Sequence, residues 1–174
     1  MRLTSIFLIT LGLFGCVNKH ELVRPDNSVA KVKLERQATA YIAVPQDGKY
    51  GQTIYHGSGE TTTQVIQAAF AKHLRQVVKG TEHQTLESAM SMAQQNGSTY
   101  LIYPTILHWE DRATEWSGKA DKVSVKISVI KVGSGVEVDA VVINGKSKWA
   151  TFGGDHPQDL LPPPIEEYAA ALFL

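Results

Sequence analysis

The chain has very little cysteine, with Cys16 as the single thiol among 174 residues. One cysteine excludes an internal disulfide, and it excludes a zinc site built from several cysteines. The chain also lacks an excess of charge of either sign, since 17 Lys and Arg residues balance 17 Asp and Glu residues. A nucleic-acid-binding protein needs a basic surface that neutralises phosphates, so this balance argues against a nucleic-acid partner.

The apolar run over residues 3–14 is too short for a transmembrane helix, which needs about 20 residues. Its length and its position after Arg2 are typical of the hydrophobic core of a signal peptide. The run ends at Leu13-Phe14-Gly15-Cys16. This stretch resembles the lipobox of bacterial lipoproteins, which is an aliphatic residue, two small residues and a cysteine.

The resemblance to a lipobox implies that residues 1–15 are a cleaved lipoprotein signal peptide and that Cys16 carries fatty acyl chains such as palmitate. Several chains on one residue anchor a protein firmly without a transmembrane helix, because each buried methylene contributes about 0.8 kcal/mol. Val17 in place of Asp after the cysteine implies sorting to the outer membrane, with the domain facing the periplasm. The alternatives are an ordinary secretory signal peptide with a chance cysteine and an uncleaved anchor.

The remaining chain divides into two parts. Residues 16–37 are polar and mixed in charge, which is typical of a tether after the lipidated cysteine. Residues 38–174 have the pattern of one α+β domain, with a mostly antiparallel sheet, two helices in the first half and one helix at the C-terminus. The predicted elements are a strand over 38–44, a helix from a capping box at Thr61 and Gln64 to Gly80, a helix over 86–96, strands over 99–109, 121–132 and 136–143, and a helix from Pro164.

The strand over 121–132 has the clearest pattern, because valine and isoleucine alternate with lysine and serine. Such alternation predicts one face against a core and one face in water. Asn144-Gly145 favours a two-residue hairpin turn, which would place Trp149 on the apolar face opposite Ala140.

Motifs for catalysis or metal binding are scarce. Gly57-Ser58-Gly59 precedes a helix and raises the idea of a phosphate site, but no GK[ST] follows and Glu60 would repel an anion. A loop with a helix cap is therefore favoured. Asp155-His156-Pro157 with Asp159 favours a capped turn over a metal or catalytic site. The sequence thus predicts no catalytic residue, no metal ligand and no cofactor.

The segment over 109–119 is the most unusual, because two tryptophans bracket three acids and an arginine. Its candidate surface residues are Trp109, Glu110, Asp111, Arg112, Glu115 and Trp116. Clustered acids beside aromatic rings suit sugar hydroxyls or a basic partner, and paired carboxylates can also act as acid and base. The structural alternative, which we favour, is a loop whose tryptophans cover the sheet end while Arg112 pairs with its neighbours.

Three blocks of sequence are familiar as a set: YIAVPQDGKYGQTIYHGSGETT, WEDRATEWSGKADKVSVKI and GGDHPQDLLPPPIEEY. They resemble an uncharacterised family of Gram-negative lipoproteins defined as a domain of unknown function. More loosely, the order of strands and helices is similar to small periplasmic modules such as the TolB amino-terminal domain and lipoprotein activators of peptidoglycan synthases. Neither resemblance implies an activity.

These observations predict a non-enzymatic binding or scaffold domain held on the outer membrane through Cys16. Its partners would be that membrane and an envelope protein or glycan. The alternative is a periplasmic glycan-acting enzyme that uses Glu110, Asp111 and Glu115. A buried acid with a raised pKa in a cleft near the tryptophans would favour the enzyme, whereas acids exposed to solvent would favour the binding domain.

Overall fold

The computed structural model describes residues 18–24, 33–111, 120–147 and 156–173. Within these residues one sheet has six strands, a two-strand hairpin lies apart from it, and three α-helices and a short 3₁₀ helix complete the fold. The strands are β1 (Lys19–Val23), β2 (Thr39–Val44), β3 (Lys49–Tyr50), β4 (Thr53–Ile54), β5 (Gln76–His83), β6 (Tyr100–Glu110), β7 (Lys122–Lys131) and β8 (Val136–Lys146). The helices are α1 (Ser58–Phe70), α2 (Leu86–Gln95), the 3₁₀ helix (Pro157–Leu160) and α3 (Pro162–Ala171).

The sheet is mixed, in the order β1-β8-β7-β6-β2-β5. The first four strands of that order are antiparallel neighbours, whereas β2 lies parallel to both β6 and β5. The two parallel pairs arise because α1 connects β2 to β5 and α2 connects β5 to β6. The α+β class is confirmed, and the sheet has a parallel part that the sequence analysis did not predict.

Helices lie on both faces of the sheet. On the first face, buried residues of α1, α3 and the 3₁₀ helix form one core with the inward side chains of β7, which are Val123, Val125, Ile127 and Val129. These four are buried, as their alternation predicts. On the second face, α2 contacts β2 and β6 through Ala89 and Ala93. Ile130, near the end of β7, also belongs to this second cluster. We call the rest of the second face, which carries Lys122, Ser124 and Lys126 of β7 and the neighbouring parts of β6, β8 and β1, the open face.

The first helix ends earlier than predicted. It ends at Phe70, and residues 76–83 form β5 instead of continuing the helix to Gly80. Val77 and Val78 pair with β2, because β-branched side chains between packed layers favour a strand there. The helix also begins earlier than predicted, since it starts at Ser58, before the predicted capping box at Thr61 and Gln64.

The predicted hairpin turn at Asn144-Gly145 is wrong. β8 continues through both residues to Lys146 and pairs with β7 on one side and β1 on the other. A Cβ added to Gly145 would lie 2.8 Å from Leu160 Cβ and 2.9 Å from Val123 Cγ1. Glycine is therefore present because the 3₁₀ helix approaches the strand closely, and not because a turn requires it. Trp149 lies outside the described residues.

Part of the polar stretch that we interpreted as a tether is a strand of the sheet. Residues 19–23 form β1 along the edge of β8. Their side chains are mostly exposed because β1 is an edge strand, and this exposure explains the tether-like composition. The two remaining helices agree well with prediction. Thr85 caps α2, while α3 starts at Pro162, two residues before the predicted Pro164.

Within the described residues, no helix combines the length and the apolar character that crossing a membrane requires.

Candidate functional site

The predicted surface segment begins where β6 ends. This is the end of the sheet at which β7 starts. Trp109, Glu110 and Asp111 are described here, whereas Arg112, Glu115 and Trp116 lie outside the described residues. Successive side chains of a strand point to opposite faces. Trp109 therefore turns toward the main core, and Glu110 turns toward the open face.

Trp109 is an interior residue and not a surface one. Its side chain is 2% exposed and belongs to the core under α1 and α3. Gly48 lies against it so closely that an added Cβ would be 2.5 Å from Trp109 Cβ. This side chain thus fixes the segment over residues 45–57 to the end of β6. That position agrees with the structural interpretation for Trp109, whereas Trp116 lies outside the described residues.

Glu110 is also enclosed, so its carboxylate does not form part of a presented acidic surface. The residue is 1% exposed. Its Oε2 lies 3.3 Å from Nε2 of His108 and 3.6 Å from Nζ of Lys122. A buried carboxylate is tolerated where cationic or hydrogen-bonding groups offset the loss of water. Glu110 thus holds the side chains of His108 and Lys122 in place at the end of the sheet.

Asp111 links three segments of the chain. Its backbone N–H donates to the Tyr55 hydroxyl at 3.4 Å, and its carbonyl oxygen lies 3.3 Å from the same hydroxyl. Its Oδ2 lies 3.3 Å from Nδ1 of His156, just before the 3₁₀ helix. The side chain is partly exposed and is the most accessible of the three described candidates.

A groove of about 640 Å³ opens beside these residues on the open face. His108 from β6 borders it, and Tyr50 packs edge-on against the His108 ring with centroids 5.5 Å apart. Ser124 and Asn144 form part of its wall, and the Ser124 hydroxyl donates to Asn144 Oδ1 at 2.8 Å. The groove is therefore lined by hydrogen-bonding side chains that strand register brings together.

Three lysines lie side by side at the rim of this groove. Register places Lys146 of β8 opposite both Lys122 of β7 and Lys19 of β1. All three are exposed. We call these three residues the lysine row. The sequence analysis does not reveal this row, because the predicted strand over 136–143 ends before Lys146 and because Lys19 lies on a strand that has the composition of a tether.

The Gly57-Ser58-Gly59 stretch proves to be a helix cap. The carboxylate of Asp47 accepts the backbone N–H of Gly57 at 3.1 Å and that of Gly59 at 2.9 Å. Asp47 therefore supplies from within the chain the negative charge that a helix N-terminus favours. A phosphate at this position would have to displace that carboxylate, so the geometry agrees with the favoured interpretation of the motif.

A second buried polar cluster joins the first strand to the last helix. Asp139 of β8 is 2% exposed and pairs with Arg24, which follows β1 directly. The Arg24 guanidinium also lies 5.7 Å from the ring centre of Tyr168. Burial, and then the neighbouring Asp139 carboxylate, raises the pKa of Tyr168 well above its ordinary value of 10.0.

Among the residues that the structure describes, no group of three or more His, Cys, Asp or Glu side chains is arranged to hold a metal ion.

Comparisons with known proteins establish a family and a fold. A family model described as a domain of unknown function (DUF4823) matches residues 32–172. No curated protein matches the sequence. Among solved structures, the PelC dodecamer from Paraburkholderia phytofirmans has a TM-score of 0.61 at 12% identity, covering 90% of this chain and 97% of that chain. The lipoprotein GNA1162 from Neisseria meningitidis has a TM-score of 0.49 at 12% identity, covering 64% of this chain and 84% of that chain. At such identities, the likeness to PelC shows a shared fold and nothing about activity.

Proposed function

This chain belongs to the DUF4823 family, and we propose that it is a lipid-anchored protein of the outer membrane whose domain binds or organises an envelope component in the periplasm. The proposal combines two claims, an anchor at Cys16 and a binding domain without catalysis. The observation that carries it is the arrangement of the first sixteen residues, and the geometry of the sheet end supports it.

The anchor is supported by the chemistry of the N-terminus. A positive residue, a short apolar run and Leu13-Phe14-Gly15-Cys16 stand in the order that lipoprotein processing requires. The single cysteine of the chain stands at the position where that processing acts. Acylation there supplies several hydrocarbon chains, and two or more chains are enough for stable anchoring.

The binding role is supported by the side chains that line the groove. Glu110 is not among those lining side chains, because it is enclosed and held by His108 and Lys122. The groove beside it instead offers lysines, amides and a hydroxyl, which are groups that hold a ligand by charge and hydrogen bonds.

Two observations favour the alternative, a glycan-acting enzyme. Glu110 is a buried acid beside the groove and next to Trp109 in the chain, which is the geometry that we expect of the enzyme. His108 borders the groove while Glu110 orients its imidazole, an arrangement that suits a general acid or base. Release of reducing ends from purified envelope glycans, lost in a His108→Asn variant that still folds, would support this alternative. Equal release by both proteins would count against it.

The anchor is tested by replacing Cys16 with Ser in the full chain expressed in a Gram-negative host. We expect the variant to lose incorporated palmitate and to leave the outer-membrane fraction, because no other thiol is available for acylation. The measurements are metabolic labelling with palmitate, mass spectrometry of the N-terminal peptide and membrane fractionation.

Val17→Asp is the matched control for this experiment. The neighbouring substitution preserves the acylated cysteine but introduces the residue that retains lipoproteins in the inner membrane, so labelling persists while the membrane changes. Normal processing and outer-membrane location of the Cys16→Ser protein would contradict the lipoprotein proposal.

A further inference from the structure

We infer that the lysine row and the adjoining groove dock the domain directly on its own membrane, with the phosphate groups of anionic lipids between the lysine side chains. This inference rests on the proposed anchor at Cys16. It adds an orientation, because the sheet end that carries the lysine row faces the bilayer and the opposite end faces away.

The first argument is electrostatic. Like charges directly opposite each other on neighbouring strands destabilise a sheet, yet Lys146 stands opposite two other lysines. Glu110 offsets Lys122. Among the described residues, no acid forms an ion pair with Lys19 or Lys146. An external anion would relieve this repulsion.

The second argument is distance. Cys16 precedes Lys19 by three residues, and three extended residues span at most about 10–11 Å. The acyl chains would therefore enter the bilayer close to the lysine row. Because β1 begins at Lys19, at most residues 16–18 can separate the acylated cysteine from the sheet. This short connection contrasts with our interpretation of residues 16–37 as a tether.

The third argument is the chemistry of the groove. Phosphate oxygens accept hydrogen bonds from ammonium groups and amides. The groove offers Lys19, Lys122 and Lys146 at its rim and the side-chain amide of Asn144 in its wall. Glu21 also lines it, so the local charge is only modestly positive when the histidines are neutral. A modest charge suits a surface that works together with an acyl anchor and does not bind alone.

The test uses the full, lipidated protein reconstituted in vesicles. Because acylation occupies Cys16, a second cysteine can carry a fluorophore specifically. Ser124→Cys places the label in the groove, whereas Ser134→Cys places it in the exposed turn after the other end of β7, roughly 25 Å or more away. Vesicles of phosphatidylcholine, with or without phosphatidylglycerol, carry a quencher on the lipid headgroup.

We expect strong quenching at position 124 and little at position 134, with the difference larger when phosphatidylglycerol is present. Replacing Lys19 and Lys146 with Gln should reduce the docked-to-undocked ratio by roughly 25-fold, since each lysine near an anionic surface contributes about fivefold. Lys33→Gln with Lys131→Gln is the matched control, since both lysines are exposed and Lys131 ends β7 far from the groove.

Several outcomes would overturn the inference. Equal quenching at the two positions would mean that the domain is not oriented, and unchanged quenching in the Lys19/Lys146 variant would mean that the lysine row does not dock it. Relief of quenching by millimolar inorganic phosphate alone would point to a free-phosphate site instead of a lipid surface.

If Ser124→Cys does not fold, Thr105→Cys places the label on the same open face. An unacylated Cys16 in the mass spectrum would refute the anchor as well, whereas an acylated protein without oriented quenching refutes the docking alone.

Discussion

Tyr168 is a polar side chain enclosed in the core at a point where it also meets a charged residue. It is 1% exposed, packs edge-on against Phe70 with ring centres 6.3 Å apart, and lies near Asp139. Burial and that carboxylate both oppose the phenolate form, and together they raise the pKa of Tyr168. In the unfolded chain a tyrosine phenol has a pKa of about 10. The folded state therefore binds the phenol proton of Tyr168 more tightly than the unfolded state does.

This difference makes stability depend on pH in the alkaline range. Because the folded pKa of Tyr168 is the higher one, its contribution is complete below about pH 10 and is lost progressively as the pH rises above that value. We expect the free energy of unfolding to fall steeply above pH 10 and the slope to be smaller in Tyr168→Phe. Urea denaturation at a series of alkaline pH values measures both slopes, and Tyr103→Phe is the control because Tyr103 is only half-buried. Equal slopes in Tyr168→Phe and the parent would contradict this account.

At the scale of elements, Gly145 decides how closely the 3₁₀ helix packs on the sheet. Any Cβ there would overlap Leu160 and Val123, whose contact atoms lie 2.8 and 2.9 Å from its position. We expect Gly145→Ala to lower the free energy of unfolding by about 1–3 kcal/mol, which is the usual cost of overpacking. Chemical denaturation of the folded protein measures the change.

Gly133→Ala is the matched control for Gly145→Ala. An added Cβ at Gly133 would meet nothing within 4 Å, so the control should leave stability unchanged or slightly increased. A Gly145→Ala protein as stable as the Gly133→Ala protein would show that the 3₁₀ helix can shift away without loss.

The same scale explains which elements the sequence could predict. β7 and α2 have clear periodic patterns, because one side of each element is buried and carries apolar residues. Their predicted bounds differ from the observed ones by about one residue. β5 was hidden, because its β-branched residues continue the helical spacing of α1 and only the parallel pairing with β2 separates them. β1 was hidden too, because an edge strand exposed to water has the composition of a linker.

The candidate site was predictable only in part, for a related reason. The segment at 109–111 stood out through its residue types, but strand alternation turned Trp109 and Glu110 inward instead of outward. The lysine row requires β8 to continue beyond its predicted end at residue 143, and it requires β8 to pair with β1, which is far away in sequence. No local pattern contains that second pairing. Local chemistry is therefore visible in this sequence, whereas any site assembled across the sheet is not.

At the scale of the whole molecule, the N-terminal strand must stay on the sheet if the anchor is to orient the domain. β1 pairs with β8 through its backbone, and the residue after it, Arg24, reaches the buried carboxylate of Asp139. The Asp139 side chain is fully enclosed, and the Arg24 side chain is 30% exposed. This ion pair therefore connects the edge strand to the core beneath α3.

We expect Arg24→Met to lower the free energy of unfolding by about 3 kcal/mol, because it leaves the Asp139 carboxylate buried without its cationic partner. Adding Asp139→Leu to Arg24→Met should recover much of the loss, since a buried pair replaced by apolar side chains of similar size is often neutral. Denaturation curves of the parent, both single variants and the double variant give the coupling between the two residues. Hydrogen exchange then shows where the loss acts. Relative to the parent, Arg24→Met should accelerate exchange of the β1 amides more than exchange of the β7 amides. A single variant as stable as the parent, with β1 still protected, would mean that backbone pairing alone holds the strand and that this ion pair has no part in orienting the domain.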